Sequence, residues 1–214
     1  GFETDTLDVT GRETVRDNFV PHESAVVAAL PQLIGCIPQI PPQFSAVHIN
    51  GGRAYELARR GIAVSIQPRP VEIFELQFLG VQNNSWHFRT RCSRGTYVRS
   101  IARDIAKICG AYATVDMIRR TLTNGFDLSS AVKLDFLENI FNNSGAFGEN
   151  LKPIDFGLGD IPVLNLSGKD AGFYRNGGFI GTDAPDGMYR VYADGVFIGI
   201  GMVTNHTLRP QRTI

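Results

Sequence analysis

The chain has 214 residues, 43% of them hydrophobic and 20% charged, with 21 Lys+Arg against 21 Asp+Glu. This allows one large domain, or a medium domain plus a small one, with a sizeable core, and excludes a disordered chain or a generally polycationic nucleic-acid binder. No apolar run approaches the roughly 18 residues of a transmembrane helix, the acidic start lacks signal-peptide character, and Cys36, Cys92 and Cys109, with no CxxC among them, suit a reducing cytoplasm and offer neither a disulfide framework nor a zinc site.

In chain order, Val26, Val27, Leu30, Leu33 and Ile34 keep helical spacing, with Pro31 disturbing the helix and Gly35 ending it. Residues 36–43, which include Pro38, Pro41 and Pro42, read as an extended connection. Residues 53–60 form a short helix stopped by Gly61. Residues 71–79 form a strand. Trp86, Phe88, Thr90 and Cys92 alternate with His87, Arg89 and Arg91 as a second, half-buried strand. Gln82, Asn83 and Asn84 make the hairpin between the two. Val98, Ile101, Ile105 and Ile108 form a helical stripe ended by Gly110. Residues 115–122 predict a strand and 133–141 a helix. Residues 142–150 are rich in Asn and Gly and read as a linker. Beyond it, alternating runs at 189–193 and 196–203 flank Asp194-Gly195, a strong hairpin signal, so residues 151–214 predict a small β-rich module.

Zero net charge hides a segregation. Residues 1–24 hold six acids and two bases, whereas residues 89–120 hold eight bases and two acids. Of the basic residues 17 are Arg and 4 are Lys, a bias that suits bidentate phosphate contacts and base stacking. The basic segment includes a strand end, a Gly95 turn and a helix start, with Tyr97 and Arg99 on the first turn. That arrangement faces anions well, because a helix N-terminus favours them. It is equally an ordinary strand–helix corner with a buried tyrosine and a surface arginine. Cys92 lies on the apolar face of its strand without a His/Asn pattern, so it is not read as a nucleophile. His22, His48, His87 and His206 show no metal-ligand spacing, and no P-loop, GxGxxG or HExxH is present.

Six segments in order carry a resemblance. Gly1, Thr4, Thr6, Asp8 and Gly11 fit G-x-x-T-x-T-x-D-x-x-G. Gln39, Pro41, Pro42, Phe44, Ser45, Ala46 and His48 fit Q-x-P-P-x-Y-S-A-x-K, with Phe for Tyr and His for Lys. Gly52, Tyr55, Ala58, Arg59 and Gly61, then Arg69 and Val71, fit G-x-x-x-Y-x-x-A-R-x-G and R-x-V. Residues 92–99 fit C-S-x-G-T-Y-[IV]-R, residues 118–121 fit L-R-R-x, and residues 208–212 fit L-x-P-x-R. The chain thereby resembles the TruB family of bacterial tRNA pseudouridine synthases, which isomerise the T-loop uridine, position 55 in tRNA numbering.

The resemblance implies an α+β fold: a mixed, mainly antiparallel catalytic domain over residues 1–150, incomplete at its N-terminus, and a PUA-like RNA-binding module over residues 151–214. It implies that the flipped uridine is attacked by an Asp in a G-H-x-G-x-L-D-P-x-A-x-G motif that these 214 residues do not contain, so that the chain corresponds to the C-terminal two-thirds of the enzyme and is inactive alone. Asp8, in Thr6-Leu7-Asp8, imitates that motif but lacks the Pro and A-x-G after it and is not taken as the nucleophile. Arg99 matches the arginine that pairs with the catalytic Asp and holds it ionised. Tyr97 matches the tyrosine that packs on the base and can move a proton. Ile118 matches the apolar lining of the base pocket, a role compatible with ordinary core. Ser45 falls in the substrate-binding segment, and Arg91, Arg94, Arg119, Arg120 and His48 are RNA contacts. No metal or cofactor is implied, and the partner is the T-arm of tRNA in the cytoplasm, with no membrane and no required protein partner. A non-catalytic tRNA-binding remnant of the family and an unrelated α+β protein with a structural corner motif are the alternatives.

Overall fold

The computed structural model describes residues 1–17, 19–49, 51–62, 64–142, 148 and 151–214. The linker expected at 142–150 lies, except for Asn142 and Gly148, outside the described residues. The chain divides into two compact units, Gly1–Arg119 and Arg120–Ile214.

The first unit opens with a hairpin, β1 (Phe2–Thr4) and β2 (Glu13–Arg16). Helix α1 (Glu23–Ala29) follows, with His22 at its N-cap. The single helix expected as far as Ile34 instead tightens into a 3₁₀ turn at Leu30–Leu33, because Pro31 has no N–H for the α-helical bond. Residues 36–43 are not merely a connection. Strand β3 (Gly35–Gln39) pairs antiparallel with β6 (Arg69–Gln82), and Pro38 stands opposite Pro70. Two residues that lack an N–H therefore share one rung of the ladder. A small hairpin, β4 (His48–Ile49) and β5 (Gly52–Arg53), leads into α2 (Ala54–Arg59).

Strand β6 turns through Asn83 and Asn84, both at positive φ, into β7 (Ser85–Cys92). The three-stranded sheet has the order β3-β6-β7. Its inner face carries Ile73, Leu76, Phe78, Trp86, Phe88 and Cys92. On these pack Val26 and Leu30 from the first helical segment and Ile101 and Ile105 from α3 (Val98–Ile108). Each buried aliphatic side chain contributes about 1.5–3 kcal/mol, and the Phe78 ring meets Trp86 and Phe88 at 5.4 Å. The predicted strand at 115–122 is not found. Val115 makes a lone bridge to Asp8, and only Leu122–Thr123 is extended in a ladder. Met117, Ile118 and Leu122 are more than half exposed, so the run buries no alternating face to define a strand.

The second unit begins with the two-residue pair β8 (Leu122–Thr123) and β9 (Phe126–Asp127) and the helix α4 (Leu134–Asn142). Its sheet comprises β10 (Val163–Leu166), β11 (Ile180–Gly181), β12 (Gly187–Ala193), β13 (Val196–Thr204) and β14 (Thr207–Thr213), in the order β10-β12-β13-β14-β11. Only the β10–β12 pair is parallel. The β12–β13 hairpin turns at Asp194-Gly195, both at positive φ. Helix α5 (Gly168–Arg175) buries Ala171 and Tyr174 against Val191, Ile198, Val203 and Leu208. Asp155 is pinned to this sheet by Arg190 Nη1 at 2.9 Å and by the Tyr192 hydroxyl. Gly199, at φ +147°, sits where β13 passes closest to β14.

Candidate active site

The site grows from the corner between β7 and α3. Gly95, at φ +82°, turns the chain where a side chain would be strained. Tyr97 is then the N-cap of α3, and Arg99 lies in the first turn. The Arg99 guanidinium is held from three sides. Nη1 donates to the Thr6 carbonyl at 2.6 Å and to Asp8 Oδ2 at 3.0 Å, and Nη2 donates to the Phe44 carbonyl at 3.0 Å. These bonds gather the β1–β2 loop, the segment after β3 and the start of α3 around one cation. Of the five N–H donors of an arginine, Nε and one on Nη2 remain without a partner among the described residues. The side chain is 21% exposed, and its planar fork is suited to a second carboxylate or a phosphate.

Asp8 is thus the carboxylate found beside Arg99, a position that the family resemblance assigns to an Asp of a motif these residues lack. Its geometry is that of a holder. Oδ1 accepts from the Thr6 hydroxyl, the Thr10 N–H and the Thr10 hydroxyl, at 2.9, 3.1 and 2.5 Å, while Oδ2 takes Arg99. A carboxylate bonded this fully is a poor nucleophile. Burial pushes its pKa up, but the hydrogen bonds from Thr10 and Thr6 and the charge of Arg99 outweigh burial and leave it below the ordinary aspartate value. A depressed folded-state pKa stabilises the fold fully above the unfolded value of about 3.9 and loses that stabilisation as pH falls through the folded value. The substitution Asp8→Asn is therefore expected to cost about 1–2 kcal/mol near pH 7. Urea unfolding followed against pH should show the variant and the wild type converging below about pH 4.

Tyr97 packs its ring against the small core of Val47, Ala54 and Ile66. Its main chain is bonded on both sides by Gln39, a residue 1% exposed. Ser45 is 4% exposed, and its hydroxyl has no partner among the described residues; its neighbour Phe44 is the residue whose carbonyl takes Arg99. Arg99, Tyr97 and the Ser45 segment therefore converge.

The remaining residues singled out in the sequence do not join that cluster. His48 is exposed on β4, opposite Arg53. Arg91 is exposed on the outer face of β7 with its guanidinium 4.8 Å from the Phe74 ring centre, and Arg94 is exposed in the turn. Ile118 is 53% exposed, which rules out the core role allowed for it. Arg119 closes the first unit and Arg120 opens the second, both exposed. Sequence reasoning missed the holding roles of Asp8, Thr6, Thr10 and Gln39. The only signal for Asp8, Thr6 and Gln39 was their place in the T-x-T-x-D and Q-x-P-P segments, and Thr10 had none. Among the described residues no cluster of His, Cys, Asp and Glu could hold a metal ion, and no helix is long and apolar enough to cross a membrane.

This fold, an antiparallel sheet backed by helices with a mixed, β-rich sheet in the C-terminal unit, is that of the pseudouridine synthases. It superposes with a TM-score of 0.70 on a chain of the "Crystal Structure of a Cbf5-Nop10-Gar1 Complex", covering 92% of this chain and 63% of that one at 16% identity. The chain itself belongs to the TruB family. Residues 1–98 match "TruB family pseudouridylate synthase (N terminal domain)" and residues 162–214 match "Pseudouridine synthase II TruB, C-terminal". Over 99% of its length it is 37% identical to "tRNA pseudouridine synthase B" of Rhizobium meliloti, of which it covers 72%, and 37% identical to the protein of that name from Bradyrhizobium diazoefficiens, of which it covers 64%. It spans just under two thirds of the length of several such relatives, 62% for that of Nitrobacter winogradskyi.

Proposed function

We propose that this chain forms the larger part of a tRNA pseudouridine synthase acting on uridine 55 of the T-loop. The observation that carries this reading is the Arg99 guanidinium, fixed by Thr6, Asp8 and Phe44 with two donors to spare. A cation held so rigidly can keep an incoming aspartate ionised and aimed. In this reading the attacking carboxylate comes from polypeptide outside these 214 residues. The stacked uridine is flipped out, its N1–C1′ bond breaks, the base rotates, and C5 bonds to C1′. The proton lost from C5 is balanced by one gained at N1. Tyr97 stacks on the base and is the group assigned to move that proton. Ile118 lines the pocket and Ser45 meets the substrate.

Arg91, Arg94, Arg119, Arg120 and His48 hold phosphates of the T-arm. Residues 1–150 work as the catalytic domain and 151–214 as a PUA-like module that extends the RNA contact. The protein works in the cytoplasm, without a cofactor or an obligatory protein partner.

The test is pseudouridine formation in a tRNA transcript by the encoded protein. Conversion of uridine 55, abolished by a cytidine at that position, supports the reading. Salt-dependent tRNA binding without pseudouridine would instead mark a non-catalytic RNA-binding member. His48 gives a second check. Placing a lysine ammonium there with His48→Lys is expected to tighten tRNA binding a few-fold and to steepen the log K against log salt slope by about 0.9 or less. Filter binding at several salt concentrations measures both.

A further inference from the structure

Gln39 ends β3 and is almost completely buried, 1% exposed. Its carboxamide is used at both ends on one residue 58 positions away. Tyr97 donates its N–H to Gln39 Oε1 at 2.8 Å, and Gln39 Nε2 donates to the Tyr97 carbonyl at 3.2 Å. The side chain thus substitutes for a neighbouring strand at the one place where β7 has ended and α3 has not begun. The orientation of the amide is fixed, because reversing it would set donor against donor and acceptor against acceptor. The Tyr97 carbonyl also accepts the Ile101 N–H, the first bond of the helix. What holds Tyr97 therefore also holds the helical turn that carries Arg99.

The stretch after Gln39 continues the same job. The Ile40 carbonyl accepts from the Ser100 hydroxyl at 2.9 Å and from Arg103 Nη2 at 3.0 Å, and the Phe44 carbonyl accepts from Arg99. Ser100 and Pro42 are fully buried. Residues 39–44 form a strap whose main chain and one amide side chain are stitched along the first two turns of α3.

We infer that Gln39 is a positioning residue for the pseudouridine-forming step: its carboxamide sets Tyr97 and, through the first turn of α3, Arg99. This rests on the synthase reading for its kinetic consequence and on the geometry alone for its structural one. Met matches Gln in length but cannot make either bond. Glu keeps the acceptor for the Tyr97 N–H and, only when protonated, regains the donor to the Tyr97 carbonyl. Burial raises the pKa of such a carboxyl, so Gln39→Glu is expected to recover as pH falls.

The experiment uses the encoded protein. Gln39→Met is expected to lower kcat on a uridine-55 transcript at least tenfold, with KM and tRNA Kd within twofold of wild type. The ratio of Gln39→Glu to wild-type kcat should rise several-fold between pH 8 and pH 6. A merely structural role would instead reduce activity only in proportion to the folded fraction measured at each pH, and that result overturns the inference. Amide hydrogen exchange separates this failure from failure of the synthase reading. Whether or not wild type forms pseudouridine, the Tyr97 amide should exchange at least tenfold faster in Gln39→Met while that of Ile105 keeps its protection. Unchanged Tyr97 protection overturns the inference.

Discussion

Replacing Arg99 by lysine is expected to lower turnover on uridine-55 tRNA about a thousandfold, equivalent to about 4 kcal/mol of transition-state stabilisation, while tRNA affinity changes less than about threefold. Arg99 reaches three acceptors on two separate segments, Thr6 and Asp8 in the β1–β2 loop and Phe44 after β3, and still presents two N–H groups with no partner among the described residues. A lysine ammonium is a single point on a flexible stem. It can satisfy Asp8 or an incoming carboxylate, but it cannot bridge the Thr6 and Phe44 carbonyls in the same geometry. The charge survives and its placement does not, so the loss should fall on kcat. Single-turnover kinetics with saturating enzyme, paired with filter binding, separate the two. A thousandfold rise in Kd with unchanged single-turnover rate would mean that Arg99 serves phosphate binding instead.

The second large effect concerns the C-terminal unit. Gly199→Ala is expected to destabilise it by about 3–5 kcal/mol, enough to unfold a marginal domain. Gly199 sits at φ +147°, and a methyl group there would lie 2.1 Å from the Arg212 carbonyl oxygen and 3.1 Å from the Thr213 Cα. Both obstacles are main chain of β14 at the residues paired with β13 itself, Thr213 with Gly199 and Arg212 with Ile200, so neither can retreat without breaking that ladder. Gly172→Ala is the control. It lies on exposed α5 with nothing near its missing Cβ, and should stabilise the same unit by about 0.5–1 kcal/mol. Urea melts with limited proteolysis of residues 151–214 read both variants. Equal melting midpoints for the two would contradict the packing described for β13.

What could be read from the sequence followed physical rules of local range. The β6–β7 and β12–β13 hairpins were legible because alternating side chains met turn residues that accept positive φ, Asn83-Asn84 and Asp194-Gly195. Helix α3 was legible because Ile101 and Ile105 share one face and Gly110 follows. The hairpin β1–β2 was not, since a three-residue strand, Phe2–Thr4, carries too few residues to show a period. Strand β3 was hidden by Pro38, which is tolerated because its rung, opposite Pro70 more than thirty residues on, asks it for no N–H. Residues 115–122 misled because an apolar composition does not by itself supply a partner strand.

The candidate site shows the same division. Arg99 and Tyr97 stood out in a basic, Gly-turned corner. That Asp8 would meet Arg99 across 91 residues, or Gln39 meet Tyr97 across 58, depends on how β1–β2, β3 and α3 are brought together. No local pattern encodes that meeting.

The rung shared by Pro38 and Pro70 bears on how the protein behaves when concentrated. An inward hydrogen-bonded rung made of two prolines would leave two carbonyls facing each other, so the missing N–H of Pro38 belongs on the side of β3 that points away from β6. A sheet extends by offering a regular row of donors and acceptors to the next chain, and here that row is interrupted at its fourth residue. The proline that obscured this strand in the sequence also makes it a poor template for a further strand on the side that no described strand covers.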